Sequence, residues 1–192
     1  MTLNLLRSFK IEQALALAAR AHEGQRRKSG DVPYIVHPLA VGFILHEQAC
    51  DEDVIITGLL HDSVEDSFVT LKLIEQDFGS RVAEWVDIVT EHDKSAVWEI
   101  RKRRLLLAVS TAPVEAKYVY CADKLHNLLS MKRMFDEHGQ EMWRRFSRGY
   151  EQQKWYAGAA LESISANVAE PERKPMFAEF ERLVNEFFND KE

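Results

Sequence analysis

The chain has 192 residues, of which 46% are hydrophobic and 29% charged, with a formal net charge of −6. That length and composition describe one globular domain that buries roughly 70% of its unfolded surface, and the acidic balance excludes a general nucleic-acid coat, which needs cations to neutralise phosphates. No apolar run approaches the ~20 residues that cross a bilayer, and MTLNLLRSFKIEQ carries neither a basic leader nor an apolar core of a signal peptide, so a cytoplasmic protein with no membrane partner is expected.

Apolar spacing of the helical kind recurs throughout, and strand-like alternation is almost absent. An opening helix is predicted from about Leu5 to Glu23, stopped near Gly24. The loop GQRRKSGDVPYIV follows and carries the basic run Arg26, Arg27 and Lys28. His37 and Pro38 start the next helix, which ends near Cys50. Asp51 caps a helix running to about Glu65, and Thr70 caps one to Phe78 that Gly79 terminates. Further helices are predicted at about 80–90, 96–110, 113–135, 141–166 and 171–188. Cys50 and Cys121 lack C-x-x-C spacing and read as small buried hydrophobes. The expectation is a single compact all-α domain over residues 1–192, with the apolar faces of its tail helices suited to either core or a homo-oligomer contact.

One stretch breaks this pattern. GLLHDSVEDS sets a histidine and three carboxylates directly after the apolar run VIITGLL, and unpartnered buried carboxylates cost several kcal/mol each. Treated as helix at about 100° per residue, His61, Asp62, Glu65 and Asp66 fall within an arc of roughly 140°. The same anomaly recurs in VEAKYVYCADKLHNLL, where Asp123 follows an apolar run and Asn127 lies one turn on. His37 adds a third inward polar position. Two histidines and two carboxylates suit a divalent first-row ion such as Mn²⁺, Fe²⁺ or Zn²⁺, and such an ion serves phosphoester hydrolysis. His22, His46, His92, His126 and His138 fit surface or packing roles, and Arg101 to Arg104 read as a solvated helix face.

Taken in order, AHEGQRRKSGDVPYIVHP, GLLHDSVEDS, FGSRVAEWVDIVT and ADKLHNLLSM resemble the HD-superfamily hydrolase domain of the RelA/SpoT alarmone enzymes. The likeness is greatest to their single-domain form, the small alarmone hydrolases that include the metazoan SpoT homologue. It covers about residues 14–134 and implies an all-helical HD-type domain. It also implies His37, His61, Asp62 and Asp123 as metal ligands with Mn²⁺ the usual ion. Glu65 and Asp66 match the acidic pair that handles the attacking water, Arg27 and Lys28 the loop pair that meets base and phosphates, and Asn127 and Ser130 positions near the ribose and 5′ side.

The implied activity is removal of the 3′-pyrophosphate of ppGpp or pppGpp, giving GDP or GTP and pyrophosphate. The partner is then a small nucleotide. Hydrolysis of an adenosine alarmone such as ppApp, phosphate removal from NADPH, and a non-catalytic nucleotide sensor stand as alternatives. SGDVPY is one residue longer than in many relatives, Lys124 stands where many long relatives have arginine and reads as a surface or phosphate cation, Lys94 is a minor candidate for a phosphate contact, and Tyr150 reads as a packed aromatic, with the pocket wall as the alternative.

Overall fold

A computed structural model describes residues 8–27, 31–65 and 67–188. The positions assigned above to Lys28 and Asp66, and the first residues of the predicted opening helix, lie outside them. Among the described residues there is no strand, only an isolated antiparallel bridge between Arg26 and Pro33.

Nine α-helices are described: α1 Phe9–Ala21, α2 Val36–Glu47, α3 Glu52–Leu60, α4 Leu71–Phe78, α5 Ser80–Val89, α6 Trp98–Thr111, α7 Val114–His138, α8 Tyr150–Ser165 and α9 Pro175–Phe188. Ser8 caps α1, its Oγ accepting from Ile11 N–H at 3.2 Å, and the buried positions Ile11, Ala14, Leu17, Ala18 and Ala21 form one stripe at helical spacing. Thr70 caps α4 in the same way, and Gly79, with φ +99°, ends it. Asp51 stands at the N-cap of α3 but makes no capping hydrogen bond.

Helix α3 is the axis of the core. Every residue from Val54 to Leu60 is buried, so the helix is enclosed on all sides and α1, α2, α5 and α7 pack around it. Two glycines set how near α2 lies: a Cβ at Gly42 would come within 2.7 Å of Leu59 Cδ2, and one at Gly58 would meet Leu45 Cδ1 and Val41 Cγ1. Close approach of α2 and α3 therefore depends on both positions lacking a side chain.

Three predicted helices need correction. The helix after Asp51 ends at Leu60, not near Glu65, because the chain tightens into turns: Ser63 N–H donates to Leu60 O at 2.9 Å and Glu65 N–H to Asp62 O at 3.3 Å. The predicted 141–166 helix is two elements, a 3₁₀ stretch Gly139–Arg145 and then α8, separated by Gly149 in extended backbone. The break lets Trp143 pack against Phe146, Tyr150 and Phe187. Tyr150 also donates to Phe188 O at 2.8 Å, so it is a packed aromatic and does not line the cavity. The last helix starts at Pro175, with Pro171 in a short 3₁₀ turn.

Candidate metal centre and its cavity

Three segments remote in sequence deliver the polar cluster. His37 sits in the first turn of α2, His61 caps the C-terminal end of α3 with Asp62 next to it, and Asp123 lies in the middle of α7. His37 Nε2 is 3.1 Å from Asp123 Oδ1 and 3.5 Å from Asp62 Oδ2. His61 Nε2 is 3.2 Å from Asp62 Oδ2 and 3.8 Å from Asp123 Oδ1. One ligand atom from each of His37, His61 and Asp123 falls within 4.8 Å of the others, and all three side chains are buried. The helix inferred through 61–66 is replaced over the described 61–65 by turns, which still bring His61 and Asp62 to one point.

The tautomers fit a cation. His61 Nδ1 lies 2.8 Å from Gly58 O, so Nδ1 carries the proton and Nε2 turns a lone pair towards the carboxylates. That Nε2 is buried without a hydrogen-bond partner. Burial disfavours charge on His61, but Asp62 and Asp123 outweigh it and raise its proton affinity well above the ordinary value. A proton or a cation must fill this place, and the His₂Asp₂ donor set suits a divalent first-row ion. Burial likewise opposes ionisation of Asp62 and Asp123, yet His61 beside the first and Lys124 beside the second hold both carboxyls below their usual range.

Three supporting residues were not foreseen as such. Tyr34 Oη donates to Asp62 Oδ2 at 2.7 Å, and burial together with Asp62 keeps the phenol protonated. His126, taken from the sequence as a packing or surface residue, stacks on His37 with their Nδ1 atoms 2.7 Å apart. One of the two must accept. Burial, then the charges of His37 and Arg27, lower His126 to a pKa of about 4, so it is neutral and supplies the lone pair that His37 Nδ1–H needs when His37 Nε2 faces the cluster. Lys124, read as a surface or phosphate cation, is largely buried and pairs with Asp123 Oδ2 at 2.6 Å. The i, i+3 spacings of Tyr34 to His37 and of Asp123 to His126 were the available signal.

A cavity of about 480 Å³ opens over the cluster, within the range of small-molecule sites. Its described lining includes Arg27, Asn127 and Ser130. Arg27 Nη2 donates to Asn127 Oδ1 at 2.9 Å and its guanidinium lies over the Tyr34 ring, while Asn127 Nδ2 donates to Asp123 Oδ1. Ser130 Oγ donates to His126 O at 2.9 Å. Glu65 faces the same cavity, its Oε1 accepting from Glu91 N–H at 2.9 Å and its backbone oxygen from Lys94 Nζ at 2.8 Å. The reading of 101–104 as a solvated face holds for Arg103 and Arg104 only. Arg101 and Lys102 line the cavity and pair with Glu91.

The HD domain family matches this chain over residues 14–150. A metazoan orthologue of SpoT that hydrolyses ppGpp superposes with a TM-score of 0.73 at 33% identity, covering 91% of this chain and 95% of its own. The chain belongs to the HD domain family, in its RelA/SpoT-type branch. A Listeria monocytogenes protein of known structure gives a TM-score of 0.74 at 39% identity, covering 81% of this chain and 96% of its own.

Longer relatives match over the same region. The GTP pyrophosphokinase of Streptomyces coelicolor is 42% identical over 127 residues, 64% of this chain and 15% of its own length. The bifunctional (p)ppGpp synthase/hydrolase SpoT of Escherichia coli is 36% identical over 128 residues, 64% of this chain and 18% of its own. The chain thus spans under a fifth of the length of these two relatives.

Proposed function

We propose that the chain is a cytoplasmic, single-domain, Mn²⁺-dependent phosphohydrolase that removes the 3′-pyrophosphate of guanosine alarmones such as ppGpp. The observation that carries this reading is the buried, unpartnered Nε2 of His61 among His37, Asp62 and Asp123, the last two of which line a cavity rich in cations. His37, His61, Asp62 and Asp123 would hold the ion. When bound, it supplies Lewis acidity towards a phosphoryl oxygen and makes water a stronger nucleophile at neutral pH.

The chain's own residues do the rest. Glu91 N–H fixes the Glu65 carboxylate, which leaves Glu65 to orient the attacking water and take its proton, with Asp66 as its acidic companion. Arg27, held by Asn127 and set over Tyr34, presents a flat guanidinium that stacks on a base and grips phosphate. Lys28 would add a second cation to that contact, as the resemblance implies. Among the described lining residues, Arg26, Arg27, Lys94, Arg101, Lys102 and Lys124 outnumber Asp62, Glu65, Glu91 and Asp123. That excess, deepened by a dication, suits a substrate of several negative charges and explains how an acidic protein attracts one.

The test is chromatographic. Purified protein with Mn²⁺ is expected to convert ppGpp to GDP and pyrophosphate, with ppApp and NADPH run alongside to rank the base and the scissile group. No pyrophosphate from either alarmone would overturn the reading.

A further inference from the structure

Arg27 is joined to the metal centre by two separate arms. The first runs through Tyr34, whose ring centre lies 5.5 Å from Arg27 Cζ and whose Oη donates to Asp62 Oδ2 at 2.7 Å. The second runs through Asn127, whose Oδ1 accepts from Arg27 Nη2 at 2.9 Å and whose Nδ2 donates to Asp123 Oδ1. Both arms start on one guanidinium, and each ends on a different carboxylate of the cluster. Arg26, the residue before, turns its guanidinium to Asp31 instead.

Neither arm has slack. Arg27 N–H donates to Val32 O and Tyr34 N–H to Gln25 O, both at 2.9 Å, which pins the two sides of the turn to each other. Tyr34 O accepts from His37 N–H at 2.9 Å, so the same residue is tied to a third member of the cluster. Its ring packs on buried His22 with centroids 4.9 Å apart, and His22 Nδ1 lies 2.9 Å from Gln25 Oε1. Asn127 stands one turn after Asp123 on α7. A carboxamide whose oxygen serves Arg27 has its N–H left for Asp123, so the two bonds fix its orientation.

The far ends of the arms are the part an ion changes. Asp123 Oδ1 and Asp62 Oδ2 crowd His37 Nε2 from 3.1 and 3.5 Å, and two carboxylates so placed repel each other until they share a cation. We propose that the divalent ion, by fixing Asp62 and Asp123, sets the Arg27 guanidinium through Tyr34 and Asn127, so that the protein takes its ion first and its nucleotide second. Tyr34 and Asn127 are then positioning residues. The link acts both ways: whatever they add to the hold on the ion, the ion returns to the turn that carries Arg27. The inference rests on the metal part of the reading above and is independent of which nucleotide is hydrolysed.

Hydrogen exchange of the full chain, read by mass spectrometry at single amides, tests this with Mn²⁺ alone. In wild type, saturating Mn²⁺ is expected to slow exchange at the Arg27 and Tyr34 amides by at least about fivefold, the lower end of ordinary coupling between sites. Amides within α9 should keep their rates. Tyr34→Phe keeps the ring beside Arg27 and removes only the hydroxyl, and Asn127→Leu removes the other arm. Each should at least halve the Mn²⁺ effect on both amides at saturating ion, and in calorimetry each should weaken Mn²⁺ binding by about 10–100-fold.

A role confined to packing gives a different pattern, in which exchange rises equally with and without the ion and the Mn²⁺ ratio keeps its wild-type value. Tyr34→Phe carries the test alone should Asn127→Leu fail to fold. A ratio unchanged in Tyr34→Phe, or no protection in wild type that holds a full equivalent of Mn²⁺ by elemental analysis, would overturn the inference while leaving the metal centre standing. No Mn²⁺ taken up by wild type would overturn the metal reading and the inference with it.

Discussion

Two buried polar places on α7 show what separates a structural charge from a functional one. Lys117, 1% exposed, donates through Nζ to Ser110 O at 3.1 Å and to Ala166 O. Both carbonyls sit at helix C-terminal ends, of α6 and α8, where the dipole favours a cation. Six positions on, Asp123 is also buried but faces His37 and His61, and the latter keeps an unpartnered nitrogen. The lysine is completed by its own backbone. The metal centre is completed only from outside, and that openness marks the site.

The contrast can be broken or sharpened by substitution. Asp62→Ala is expected to abolish metal uptake by elemental analysis and to cut turnover by about a thousandfold or more, with the helical circular dichroism retained. Next in size, Glu65→Gln should keep stoichiometric metal and lose roughly 10²–10⁴ in kcat. If it lost the metal instead, Glu65 would be a ligand and not a base. His126→Leu should weaken Mn²⁺ binding by about 10–100-fold, whereas His126→Asn, whose Oδ1 still accepts from His37, should recover most of it in the same titration.

Lys117→Met tests the other side. It leaves two carbonyls without their donor, a cost of about 2 kcal/mol, or a fall of roughly 4–8 °C in Tm for a chain of this size, while kcat stays within twofold. A collapse of turnover there would erase the distinction between the two places. The smallest effect concerns pH. Burial lowers the Lys117 pKa below the ordinary lysine value, so between that lowered value and the unfolded value near 10.5 the unfolded chain binds more protons. Wild-type stability relative to Lys117→Met should therefore rise with pH across that window and level off above it, as paired melts would show.

Much of this was legible because helices and buried charge leave strong marks. The unbroken burial from Val54 to Leu60 appears in the sequence as VIITGLL, and the polar residues after it announce a site. The order of motifs carried the residues that the fold gathers into the polar cluster. Missing were the places where tertiary packing overrides local pattern. His61 to Glu65 turn instead of continuing the helix, since the chain there is held by i to i+3 bonds that no periodicity records. The 141–166 segment breaks around Trp143, whose partners Tyr150 and Phe187 come from other elements. The contacts of His126 with His37 and of Arg101 and Lys102 with Glu91 were hidden because tertiary packing, which no local pattern records, sets them.

The close crossing of α2 over α3 reaches further than packing. Gly42 and Gly58 never touch the cavity, but α2 carries His37 and α3 delivers His61, whose ring centroids stand 5.0 Å apart. A methyl added at either glycine would wedge the helices open and spread the histidines. In a saturation screen for activity, both positions should therefore score among the most intolerant in the chain, with lesions that pass for catalytic although they alter only spacing.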